Sequence, residues 1–303
     1  MDHRRGHRGH RCPQLPPHAA VAGEGGAVSR RPGFLVYGLL SAFVVGSAFP
    51  LYWSFVIGSV TKERAIHSPP PLYPGGHFLD NARRVLDQID FWSALANSVV
   101  ISGVSAASVV FFSTLAGYSF AKLRFPGSNV AMGFVVATMA VPTQLAFVPL
   151  LKQFSNLGLT GTRTAVVLPF LVTAFGVFFM RQYLIDAIPD ELIEAARMDG
   201  CSQIRTFWTV AVPAARPAMA ILALFTFMQT WTEFMWPLLI LQGSDVQTLQ
   251  TALDQLKIAP AGGISDVALL QAGTLLATIP LLVLFIATGR QLVAGIMQGA
   301  VKG

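Results

Sequence analysis

The chain has 303 residues, of which 53% are apolar and only 12% charged, with a mean hydropathy of +0.57. A soluble domain carries roughly 25% charged residues to keep its surface wet, so this composition excludes a water-soluble globular chain and requires lipid over part of it. The net charge of +6 would suit nucleic acid, but six of the 21 Lys and Arg lie in the first 31 residues, where they serve to orient a chain in a membrane. No nucleic-acid partner is expected.

Residues 1–33 are rich in Arg, His, Pro and Gly and poor in large apolar residues. Such a segment cannot bury enough surface to fold and is expected to be a disordered basic tail on the cytoplasmic side. Its histidines, His3, His7, His10 and His18, need no ligand in a low-complexity basic tract. Cys12 and Cys201 lie far apart in polar segments, without metal-ligand spacing, and are expected to be free thiols.

Residues 34–303 are expected to form one all-α permease domain. Crossing a hydrocarbon core of about 30 Å takes about 20 mostly apolar helical residues. Six stretches qualify: 34–57, 95–120, 130–151, 164–185, 218–241 and 267–288. The first is too long for a signal-peptide core. With the tail inside, 14 of the 21 basic residues fall on one side. That excess marks the cytoplasm and predicts both termini there. Small residues on the second stretch (Ser102, Gly103, Ser105, Ala106, Ala107, Ser108 and Gly117) favour close helix packing over ligand contact.

The segment 186–216 between the fourth and fifth stretches has helical periodicity of its own. Ile188, Leu192, Ala195 and Ala196 share a helix face, Asp190 and Glu191 occupy its first turn, and Gly200 offers a stop. Ile204, Phe207, Trp208 and Ala211 repeat the spacing until Pro213 is expected to break it. The first helix carries Asp190, Glu191, Glu194 and Asp199 against one Arg197. An interfacial anchor would be basic, so this acidic face suits a basic protein groove.

Glu194-Ala195-Ala196, three residues, Gly200, nine residues, then Val210-Ala-Val-Pro213 resembles the EAA loop of ABC importer permeases, with Val in place of the family's Ile and Leu. Asn97-Ser98, the stretch from Tyr118 to Gly127, Val141-Pro-Thr-Gln144, Leu157-Gly-Leu159 and the closing Gly299–Gly303 resemble the carbohydrate branch, and within it the second, six-span permease component of maltose-type importers. The resemblance implies six spans in a bacterial inner membrane and import of a sugar, expected to be an oligosaccharide, by alternating access. It implies that Glu194, Ala195, Ala196, Asp199, Gly200 and Pro213 belong to a coupling loop seated on an ATPase. Gln298, Gly299 and Lys302 would reach into the ATPase dimer. The implied partners are a second permease, two ATPase subunits and an extracytoplasmic sugar-binding protein.

No phosphate-binding loop occurs anywhere in the chain. ATP and Mg are therefore expected on the partner ATPase, with no cofactor, metal or catalytic residue here. Glu233 is the only acid inside the expected spans. With Trp231 and Trp236 it makes a candidate for the substrate path, because an intramembrane acid needs a cavity or partner. A bond from Glu233 across a subunit interface, with the tryptophans as interfacial anchors, is the other reading. Two rival functions remain open at this point: an importer permease for a non-sugar solute such as glycerol phosphate, and an ion-coupled secondary transporter.

Overall fold

The computed structural model describes residues 33–257 and 265–300, with side chains of the last helix described as far as Gly289. In chain order the helices are α1 (Phe34–Gly58), α2 (Lys62–Ala65), α3 (Phe78–Gln88), α4 (Phe91–Lys122), α5 (Ser128–Thr138), α6 (Phe147–Asn156) and α7 (Arg163–Val167). There follow α8 (Ala174–Ala187), α9 (Asp190–Met198), α10 (Gln203–Thr206), α11 (Val212–Thr232), α12 (Met235–Ile240), α13 (Leu249–Asp254) and α14 (Val267–Ala300). No strand occurs among the described residues. The basic tail expected over 1–33 lies outside them, apart from Gly33.

Among the described residues four helices are long and apolar enough to cross a membrane: Phe34–Gly58, Phe91–Lys122, Gln203–Thr232 and Val267–Gly289. Two bent pairs pass the same test, Ser128–Thr138 with Thr143–Asn156 at 90° and Arg163–Phe170 with Ala174–Ala187 at 45°. The expected third and fourth spans are therefore not straight rods. Pro142 causes the first break, since it lacks an N–H and disfavours helix at Val141. At the second, Thr173 starts a new helix by accepting from the Gly176 N–H at 3.1 Å.

The expected fifth span, 218–241, is misplaced. Its helix begins before Pro213 and ends at Thr232. Pro213 does not break the pattern, because Phe207–Ala211 winds as π-helix immediately ahead of it. Such wide turns let a helix run through a residue that cannot donate to the normal ladder.

The chain divides into two compact units. The first includes Ile101–Thr230. Its core gathers Val109 and Tyr118 of α4, Met180 and Leu184 of α8, and Phe207, Ala215 and Leu222 of the long helix, together with Ile188 and Ile193. Gly117 permits the approach of α4 to α8: a Cβ there would stand 2.8 Å from the Met180 Cβ and from the Arg181 nitrogen. Ser108 adds a hydrogen bond of 2.8 Å to the Leu171 carbonyl. The small-residue packing expected of α4 thus holds at Gly117 and Ser108, whereas Gly103 meets nothing within 4 Å.

The second unit includes 33–100 and Trp231–Ala287. Asn81 of α3 donates 2.9 Å bonds to the carbonyls of Gly58 and Val60, tying α3 to the end of α1. Asn97 donates to the Gln247 carbonyl at 2.8 Å, and the Leu249 N–H donates to Ser98 Oγ at 2.8 Å. These two bonds anchor α13, which lies between the expected fifth and sixth apolar stretches. The Thr248–Thr251 capping box opens α13, and Leu249 and Leu253 bury its apolar side.

Candidate functional site: the α9 loop

Two local features fix α9 in place. Asp190 and Glu191 occupy its first turn, where the helix dipole favours acids. At its other end Gly200 adopts φ +78°. The Gly200 N–H donates to the Arg197 carbonyl and the Cys201 N–H to the Ala196 carbonyl, both at 2.9 Å. This is a Schellman closure, in which glycine takes the left-handed position without a Cβ penalty. Ser202 then caps the next helix by accepting from the Arg205 N–H. The turn between the two helices is thus stiff and locally determined.

The apolar face of α9 divides differently from the periodic expectation. Ile188 and Ala196 are buried as expected, but Leu192 and Ala195 are exposed, and Ile193 takes the inward position at 5% exposure. An i, i+4 count read from Ile188 overlooks the extended backbone at Ile188 and Pro189, which resets the helical phase. Outward, α9 presents Glu194, Ala195, Met198 and Asp199, with Met198 88% exposed. Beyond the turn Ile204 is also exposed.

Lys122, the last residue of α4, reaches α9. Its Nζ lies 2.8 Å from Asp190 Oδ1 and 3.4 Å from the Ile185 carbonyl. The hydrogen bond and charge of Lys122 hold the Asp190 carboxyl below the usual range, with Arg124 contributing less. Beside this pair a cleft of about 580 Å³ opens, lined among others by Lys122, Arg124, Ser128, Asp190, Glu194 and Arg197. Nothing in the sequence signals the pair, because its members stand 68 residues apart.

The remaining candidates lie elsewhere. Pro213 is half-buried inside the continuous helix, past the π turn. Gln298 and Gly299 belong to the end of α14 as backbone, while their side chains and all of Lys302 lie outside the described residues. Cys201 is disulfide-bonded, contrary to the expected free thiol.

Glu233 occupies the break between α11 and α12, rather than the interior of a continuous span. Its Oε1 accepts from the N–H groups of Met235 at 3.0 Å and Trp236 at 3.2 Å. A carboxylate on the free amides of a helix start receives charge-assisted bonds that offset its burial. Trp231 and Trp236 flank it, with 2% and 0% of their surface exposed.

Comparison with known proteins places these features in context. The family model described as "Binding-protein-dependent transport system inner membrane component" matches residues 110–294. The chain is 36% identical over 213 residues to the arabinooligosaccharides transport system permease protein AraQ of Halalkalibacterium halodurans, which covers 70% of this chain and 75% of that protein. It is 33% identical over 273 residues to the lactose transport system permease protein LacG of Rhizobium radiobacter, covering 90% and 97%. Its fold resembles a chain in the crystal structure of a bacterial ABC transporter involved in the import of the acidic polysaccharide alginate, with TM-score 0.71, 23% identity, and coverage of 84% and 94%.

Proposed function

Because the chain belongs to the family of binding-protein-dependent transport system inner membrane components, we propose that it is the permease subunit of an ABC importer for a carbohydrate, with an oligosaccharide as the expected cargo. Likeness to the arabinooligosaccharide and lactose permeases supports the sugar class. The observation that carries the coupling role is the division of α9. Ile193 and Ala196 hold it in the core, while Glu194, Ala195 and Met198 remain outside. A stiff helix with one side fixed to the membrane domain and a small, acidic side free is suited to seat in a groove of another protein.

In this reading each bent helix pair crosses the membrane once, which gives six spans with both termini cytoplasmic. The α9 loop and its neighbouring cleft then face the cytoplasm. ATP and Mg reside on two ATPase subunits, and this chain binds neither. A second permease completes the pathway, and an extracytoplasmic binding protein delivers the sugar. Gln298, Gly299 and Lys302 extend toward the ATPase dimer. ATP-driven closure of the ATPases moves α9, and α9 moves the spans between inward-open and outward-open states. Each ligand shifts that equilibrium only by its differential affinity for the two states. Glu233, at a helix break framed by Trp231 and Trp236, is the residue of this chain proposed for the substrate path.

The test is affinity purification of the tagged protein from its native membrane in mild detergent. An ATPase with a phosphate-binding loop and a second permease should copurify. The ATPase should be lost, with the second permease retained, when Glu194→Lys is combined with Gly200→Pro. Titration of the copurifying system's binding protein with oligosaccharides and with glycerol phosphate then separates the two solute classes.

A further inference from the structure

We propose that Lys122 is a positioning residue that ties α9 to the end of membrane helix α4, so that displacement of α9 reaches α4 directly. The inference rests on the coupling role of α9 proposed above.

A single ammonium group joins three helix ends. Lys122 terminates α4, its Nζ bonds Asp190 at the first residue of α9, and it also reaches the carbonyl of Ile185 in the last turn of α8. Carbonyls in a last helical turn lack partners within their own helix. A cation is favourable there, as an anion is at a helix start. The Lys122 side chain is only 5% exposed, against 65% for Asp190. The tie is therefore anchored from the membrane-helix side and reaches outward to α9.

Chain connectivity alone would transmit motion poorly. Only Ile188 and Pro189 separate α8 from α9, and both have extended backbone. Such a link transmits a displacement along α8 but by itself does little to oppose rotation of α9. On the side of α4 the core shared by Tyr118 and Ile193 resists that rotation, and the Lys122–Asp190 bond adds a directional, charge-assisted link to it. Both members of the bond line the cleft beside α9, together with Glu194.

The test uses the complex purified with its ATPase. Amide hydrogen exchange is followed in residues 115–122 and 190–198, with and without ATP plus vanadate. In the unaltered protein both segments should change on nucleotide trapping. In Lys122→Met and in Asp190→Asn the ATPase should still copurify and 190–198 should still respond, while the response of 115–122 is diminished. Asp190→Glu should retain it. Asp190 is exposed, so its variants report even if Lys122→Met folds poorly. An undiminished response of 115–122 in Asp190→Asn, with the ATPase bound, would overturn the tie. Absence of an ATPase from the unaltered preparation would instead defeat the coupling reading on which the tie rests.

Discussion

Gly117 lies so close to Met180 that a Cβ on the glycine would stand 2.8 Å from the Met180 Cβ, and equally close to the Arg181 nitrogen. Much of the α4–α8 packing depends on that absent methyl group. Gly117→Ala should force the helices apart at a cost of about 1–3 kcal/mol, the range for overpacking a filled core. Gly103→Ala on the same helix meets nothing within 4 Å and should not destabilise. Thermal unfolding of both variants in one detergent separates them.

Gly200 is constrained by conformation rather than by space, since no atom lies near its Cβ position but φ is +78°. A β-branched side chain there should cost about 1–2 kcal/mol, the penalty for placing an L-residue in the left-handed region. Asn should be tolerated better than Val, because it visits that region more readily. The readout is recovery of the ATPase with each purified variant, expected to follow the order Gly, Asn, Val.

The Asp190 carboxyl is held below the usual range by its bond to Lys122. A depressed folded-state value means that the pair stabilises above the ordinary carboxylate range. That contribution is lost as pH falls through the folded value. Lys122→Met should therefore be less stable than the unaltered protein near neutral pH, and the gap should close in acid. Unfolding midpoints of both proteins against pH measure it.

Glu233 caps α12 through two backbone N–H groups. Glu233→Ala should destabilise by about 0.5–2 kcal/mol, as loss of a helix cap does, and Glu233→Gln by less, since one acceptor oxygen remains. If the carboxylate also serves the substrate path, Glu233→Gln should impair uptake while its unfolding midpoint stays near that of the unaltered protein. Wild-type uptake in Glu233→Gln would leave the cap as its sole role.

How much was legible in the sequence depended on how local each feature is. The apolar runs around α1, α4 and α14 were legible because twenty consecutive residues decide them. The α9 loop was legible because Glu194, Ala195, Ala196 and Gly200 carry helix, close-packing and turn chemistry within seven positions. Hydropathy did not register the helix breaks at Thr173 and Glu233, since side-chain caps end a helix without ending an apolar run. The inward turn of Ile193 depended on two extended residues that shifted the phase. The α13 anchors at Asn97 and Ser98, and the Lys122–Asp190 bond, join residues distant in the chain. No local pattern encodes them.

Site-specific photocrosslinking reads out whether the outward side of α9 seats on an ATPase. A photoreactive side chain at Met198, exposed on α9, should crosslink in native membranes to a protein carrying a phosphate-binding loop. The same group at Leu79, exposed on α3 of the other unit, should not. Crosslinking from position 198 to lipid alone, or to no ATPase in membranes where one is present, would contradict that seating.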